Sequence, residues 1–309
     1  MENNRSIKFA SAFTEGGALY AFAKKVMDEE ELELCFRGND NAVNIYFNNL
    51  LVWKIYSMRS GFKVEVSLHK SITPNTRKEI ADKLKNELGF DSLYENKEIK
   101  RYPSIKKQAV NSEFVNKTYD VIRPMLNEYF EGGKHKEKLR QQELFRSLDD
   151  YQKHHGLYVY DLELQDKGES KKGQNLSDMI AVRYESGKAN SLALVEVKST
   201  KIACYDIKSG IKPHLKAMWK YINDSNKMVE KKKEAFDLIT QYKELKVRKT
   251  PDDIKSIKEI DKYEVIMILT DDAKTFYEKM KEEINDYIEG EKIKCVFYKW
   301  ENKQLEVID

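Results

Sequence analysis

The run Glu264-Val-Ile-Met-Ile-Leu269 constrains this chain more than any other segment. It is almost wholly apolar and too short to be a core helix. A strand of that kind has to be covered on both faces, as an inner strand of an α/β sheet is. Leu192-Ala-Leu-Val-Glu-Val-Lys198 has the same character with one difference: Glu196 and Lys198 stand at i and i+2, so they share a face. A carboxylate and an ammonium on one face of an apolar strand are costly unless they pair or bind something. The run before it opens with Asp178 and returns through a polar turn at 185–190. Counting back from that turn, Arg183 or Tyr184 faces Ser191 or Leu192, so Asp178 lies opposite Glu196 or Val197. The spacing brings a second carboxylate to the same end of the hairpin.

The rest of the second half alternates helix and strand signals. Residues 113–130 read as a helix interrupted by Pro124, and 136–153 as another, with one apolar face. Strands follow at 157–164, 178–184 and 191–198. A helix at 214–221, a Lys-rich stretch to 249, the strand 264–269, a helix at 273–288 and a strand at 293–300 complete it. In the first half, a helix at 16–27 precedes four short alternating runs at 32–37, 42–47, 51–57 and 62–68. Turn residues at hairpin spacing separate them, which predicts an antiparallel meander. Residues 74–88 read as a helix capped by Asn75 or Thr76 and stopped by Gly89. The polar stretch around Tyr102-Pro103-Ser104 marks the expected boundary between residues 1–108, an α+β accessory domain, and residues 109–309.

Composition narrows the function classes. Aromatic content of 11% supplies a core and excludes a disordered charged tail. No apolar run is long enough for a membrane helix or a signal peptide. Cys35, Cys204 and Cys295 are odd in number and far apart, so no disulfide framework or Cys-built metal site follows, and the cytoplasm is the expected location. His154-His155 has no partner at ligand spacing and reads as a loop-end pair. A net charge of +3, all of it from residues 1–110, does not announce a polyanion binder.

The chemistry lies in Asp178, Glu196 and Lys198. Two carboxylates and a lysine converging at a strand end suit Mg²⁺ beside a substrate phosphate, because that ion takes hard oxygens and keeps waters. Glu-x-Lys by itself carries little here, since it recurs at Glu95, Glu98, Glu169, Glu230, Glu244 and Glu301. The apolar strand and the preceding Asp178 distinguish Glu196.

Asp178 followed by Glu196-Val197-Lys198, within the order helix, three strands, helix, strand, resembles the PD-(D/E)XK nuclease superfamily. The resemblance spans about the last two hundred residues and says nothing of residues 1–105. It implies an α/β fold with a restriction-endonuclease-like core, a mixed sheet flanked by helices. It implies Asp178 and Glu196 as metal ligands, Lys198 as the catalytic lysine, the Val197 carbonyl as a further ligand, and Glu143 on the leading helix as an accessory catalytic and metal residue. The cofactor would be Mg²⁺, with Mn²⁺ able to substitute. Ser177 stands where many members have proline. The helix after the third strand carries His214, Lys216 and Lys220 where exonuclease branches have a glutamine motif.

The expected activity is a metal-dependent nuclease, a DNA endonuclease of a prokaryotic or phage restriction, antiviral defence or mobile-element system. It would act with nucleic acid, form a homodimer or higher oligomer or work with a partner protein, and have no membrane association. Phosphate contacts are expected from Lys216 and His214, and from Arg37, Arg59, Lys54 and Lys63 in the accessory domain. The alternative is a non-catalytic subunit that keeps a nuclease-like fold as a binding or assembly module.

Overall fold

The structure, a computed structural model, describes residues 7–37, 42–95, 98–133, 135–166, 174–207, 210–246 and 248–308. Two compact units make up the chain: Met1–Lys138 with Lys243–Val247, and Leu139–Tyr242 with Arg248–Asp309. No described helix is long and apolar enough to cross a membrane.

The first unit holds α1 (Ile7–Ser11), α2 (Tyr20–Asp28), β1 (Leu32–Arg37), β2 (Ala42–Phe47), β3 (Leu50–Ser57), β4 (Phe62–Val66), α3 (Pro74–Leu88), β5 (Asp91–Glu95), β6 (Glu98–Lys107) and α4 (Ser112–Phe130). Its sheet runs β1-β2-β3-β4-β6-β5 with every pairing antiparallel, which extends the expected meander by a hairpin. Trp53 is fully buried between Phe22 and Tyr119, at ring distances of 5.4 and 6.0 Å. The cap of α3 is Thr73, with Pro74 at the first helical position, rather than Asn75 or Thr76: Thr73 Oγ1 accepts from the Thr76 backbone N–H.

Two expectations in this unit need correcting. Tyr102-Pro103-Ser104 is not a linker but the middle of β6. Pro103 fits because the ladder to β4 ends at Ser104 and the register to β5 shifts beside it, so the missing N–H leaves no gap. Pro124 does not interrupt α4, which is continuous from Ser112 to Phe130. Ile122, Met125 and Leu126 are buried on either side of it, and that packing offsets the one backbone bond lost. α4 packs on α2 and α3, which keeps it with the first unit although a boundary at 108 would separate them.

The second unit contains most of α5 (Lys136–Ser147), then β7 (Leu157–Asp166), β8 (Gln174–Glu185), β9 (Lys188–Lys198), α6 (Lys201–Tyr205), α7 (Ile211–Ile222), most of α8 (Ser225–Leu245), β10 (Lys262–Leu269), α9 (Asp271–Glu291), β11 (Cys295–Glu301) and β12 (Gln304–Val307). The sheet order is β12-β11-β10-β9-β8-β7. β7, β8 and β9 are antiparallel, β9, β10 and β11 parallel, and β12 returns antiparallel at the edge. Val265 to Leu269 are buried without exception, as an inner strand of an α/β sheet requires.

The turn between β8 and β9 is tighter than 185–190. Ser186 and Gly187, at φ 50° and 80°, make a two-residue hairpin, and a register shift at Arg183/Tyr184 absorbs the remainder. Arg183 fixes the strands: its guanidinium donates to the Glu264 carboxylate on β10 and to the His155 carbonyl before β7. Gly156 opens β7 at φ 73°, and its carbonyl accepts from Tyr184 N at 2.8 Å. A side chain there would meet the Tyr184 backbone, whereas Gly187 faces open space.

His154 and His155 each lie against a ring of β11, Trp300 and Tyr298 respectively. His154 is buried beside the Trp300 ring, and His155 Nε2 lies 3.0 Å from the Leu305 carbonyl.

Gly156→Ala is expected to lower stability by more than the about 1 kcal/mol that the left-handed backbone alone costs at Gly187→Ala, as urea denaturation of both variants would measure. Burial holds His154 below the ordinary imidazole range. The folded state therefore favours the neutral ring, and its contribution is complete above the unfolded value and lost as pH falls below it. The unfolding midpoint is expected to drop as pH falls below about 6.5, less steeply in His154→Phe, because the unfolded imidazole titrates near 6.5.

Candidate active site

β9 ends in Val195-Glu196-Val197-Lys198, flanked by β8 on one side and β10 on the other. One residue past the Met179–Val195 pair, Asp178 comes across from Glu196. On β10, Met267 pairs with Glu196 and Leu269 with Lys198, so the two parallel strands finish together. Their carboxyl ends face the starts of α6 and α9, the place where open α/β sheets form their crevices. A backbone bond from Thr270 N to the Lys198 carbonyl, 2.9 Å, ties the start of α9 to the end of β9.

The side chains are enclosed. Asp178 is 5% exposed, Glu196 2% and Lys198 3%. Asp178 Oδ2 accepts from Val197 N at 2.8 Å, which holds the carboxylate across the hairpin. Lys198 Nζ donates to Glu196 Oε1 at 2.6 Å. The neighbouring positions i and i+2 make this pair possible, and the partnership keeps both charges tolerable inside the sheet. The second oxygen, Glu196 Oε2, lies 3.1 Å from His214 Nδ1 but out of hydrogen-bond alignment, and neither atom has another hydrogen-bond partner. Such a buried oxygen calls for an explanation.

The structure therefore brings Asp178, Glu196, Val197 and Lys198 together and adds His214. Glu143 is engaged elsewhere. Its Oε2 accepts from Arg140 at 2.6 Å, and Trp300 Nε1 lies 3.4 Å from its Oε1. Arg140 also grips Asp271 with two bonds, and Thr270 Oγ1 donates to Asp271. Hydrogen bonding to Asp271 raises the guanidinium pKa further above its ordinary value. Glu143 thus reaches the end of β9 through Arg140, Asp271 and Thr270 rather than by its own carboxylate. Lys216 is exposed on α7 and pairs with Glu291 at 3.2 Å. Arg59 is exposed in the β3–β4 turn. Lys54 and Lys63 lie over the Tyr56 ring, and Lys63 pairs with Glu65. The side chain of Arg37 lies outside the described residues.

The His214 contact had no local signal, because it depends on how α7 is laid over the sheet.

Among the described residues, no group of three or more His, Cys, Asp or Glu side chains is placed to hold a metal ion. Asp178 and Glu196 nevertheless fit a hard divalent cation in donor type, and the unsatisfied Glu196 Oε2 supplies a free coordinating atom. Comparison with protein-family models, curated proteins and solved structures finds no match to this chain.

The pair in β9 has a consequence for stability. Glu196→Ala removes the carboxylate that pairs with a buried ammonium and is expected to destabilise by about 3 kcal/mol or more, whereas Glu196→Leu/Lys198→Met is expected to match or exceed the wild type. Urea denaturation of the single and double variants would check the contrast.

Proposed function

We propose that this chain is a metal-dependent nuclease of the PD-(D/E)XK type, hydrolysing phosphodiester bonds in nucleic acid, with DNA the favoured substrate. The observation that carries the reading is the buried Glu196 carboxylate, placed across from Asp178 and beside Lys198, with one oxygen left without an aligned donor. A purely structural ion pair would have no use for that arrangement. The element order supports the same reading: α5, an antiparallel trio β7–β9, then β10 parallel to β9, is the order expected of a restriction-endonuclease-like core.

Asp178 and Glu196 would hold Mg²⁺, an ion often bound by one or two carboxylates with waters and substrate phosphate completing its shell. When bound, the ion supplies charge neutralisation at the phosphate and a lowered pKa for a coordinated water. Lys198 keeps its ammonium fixed by Glu196 Oε1 and places positive charge where the pentacovalent phosphate builds up negative charge. The Asp178–Val197 bond holds the carboxylate in place, so the site is ordered before substrate arrives. Glu143 acts as a positioning residue through Arg140 and Asp271. A cytoplasmic restriction or defence role, and a dimer that cuts both strands, are parts of this reading that rest on the family resemblance.

The test is digestion of plasmid DNA and of RNA in Mg²⁺, Mn²⁺ or EDTA. Cleavage is expected with either ion and none in EDTA. Asp178→Asn keeps an oxygen for Val197 N and should retain the circular dichroism of the wild type, whereas Lys198→Met keeps the volume but leaves the Glu196 carboxylate without its ammonium, so its cleavage is read at a temperature where circular dichroism shows it folded. Each is expected to slow cleavage at least about a hundredfold. Undiminished cleavage in either folded variant contradicts the assignment.

A further inference from the structure

His214 lies in the first turns of α7, a helix held on the sheet by buried Ile211, Leu215 and Met218. Those three anchors turn His214 inward, while Lys216 lies on the exposed side with Glu291. The His214 side chain is 11% exposed and Glu196 2%, and their facing atoms, Nδ1 and Oε2, are 3.1 Å apart. That separation would serve a hydrogen bond, but the alignment does not, and both atoms are otherwise without hydrogen-bond partners. Two cis ligands of an octahedral ion with bonds of about 2.1 Å stand about 3.0 Å apart, which is close to the spacing seen here. The other Glu196 oxygen is taken by Lys198, so Oε2 is the one left to coordinate.

We propose that His214 is a metal ligand, pairing with Glu196 in a mixed nitrogen and oxygen site, its shell completed by water, that prefers Mn²⁺ to Mg²⁺. The proposal rests on the reading of Asp178 and Glu196 as carboxylate ligands. Imidazole favours transition-metal ions, whereas Mg²⁺ favours an all-oxygen shell, and Mn²⁺ is the transition ion that also suits carboxylates. His214 then works inside the site rather than as a surface contact to phosphate.

Mn²⁺ added to the tag-free full chain, read by pulsed electron paramagnetic resonance, tests the assignment without reference to cleavage. The expected spectrum shows coupling to a directly bound nitrogen. That coupling disappears in His214→Gln, and in the wild type it converts from the ¹⁴N to the ¹⁵N pattern when histidine is ¹⁵N-labelled. By calorimetry, His214→Gln is expected to weaken Mn²⁺ at least about tenfold and Mg²⁺ by less than about threefold. Should His214→Gln fail to fold, the labelling result on the wild type decides alone. Mn²⁺ binding that Asp178→Asn removes, with no nitrogen coupling, overturns the role of His214 and leaves the carboxylate site standing. Absence of any Mn²⁺ binding that depends on Asp178 overturns both.

Discussion

Placing Glu196 and Lys198 side by side inside a six-stranded sheet is the most demanding thing this sequence does. Two charges withdrawn from water lose several kcal/mol each in solvation, and a single contact between them returns only part of that. The pair is tolerable because β9 is held from both sides. β8 supplies Asp178 to the Val197 N–H, and β10 runs in register from Lys262 to Leu269. Arg183 spans the same three strands at the far end, from the His155 carbonyl to Glu264. Gly156 permits the close approach of β7 to Tyr184, and the two-residue turn at Ser186-Gly187 sets the hairpin register. If any of these shifted by one residue, the carboxylate row would turn to the opposite face of the sheet.

The same constraint explains what gathers at the ends of the strands. β9 and β10 stop together, and the first residues of α9 return to the Lys198 carbonyl through Thr270 N. Asp271 follows at a positive φ of 47°, held by Arg140 and Thr270. Strained backbone of this kind persists where surrounding contacts over-determine it, and such positions cluster at functional sites. Glu143 joins through Arg140, so the edge of the site is a continuous polar network resting on an apolar sheet.

Much of this was legible in the sequence because it is encoded locally. The apolar run Glu264–Leu269 can only be an inner strand, and antiparallel pairing fixed Asp178 near Glu196 even though the turn is shorter than its polar composition suggests. The capping and stop residues of α3 were legible to within a residue or two. The β5–β6 hairpin was hidden because Pro103 and its polar neighbours look like a linker, and only the irregular ladder around them makes a strand possible. β12 was missed because Leu305 is its single buried side chain. The contact of His214 with Glu196 comes from helix packing over the sheet, which leaves no trace in the spacing of residues, whereas the Arg140–Glu143 pair is an i,i+3 contact within α5 that the spacing does carry.

The central claim is that the buried row on β8 and β9 exists to hold a cation. Crystals grown with Mn²⁺ and measured at an energy where its anomalous scattering is strong would locate the ion directly. An anomalous peak is expected within coordination distance of Asp178 and of Glu196 Oε2. Diffraction from the same crystals with no peak there, and with Glu196 Oε2 hydrogen-bonded to a protein donor instead, would contradict it.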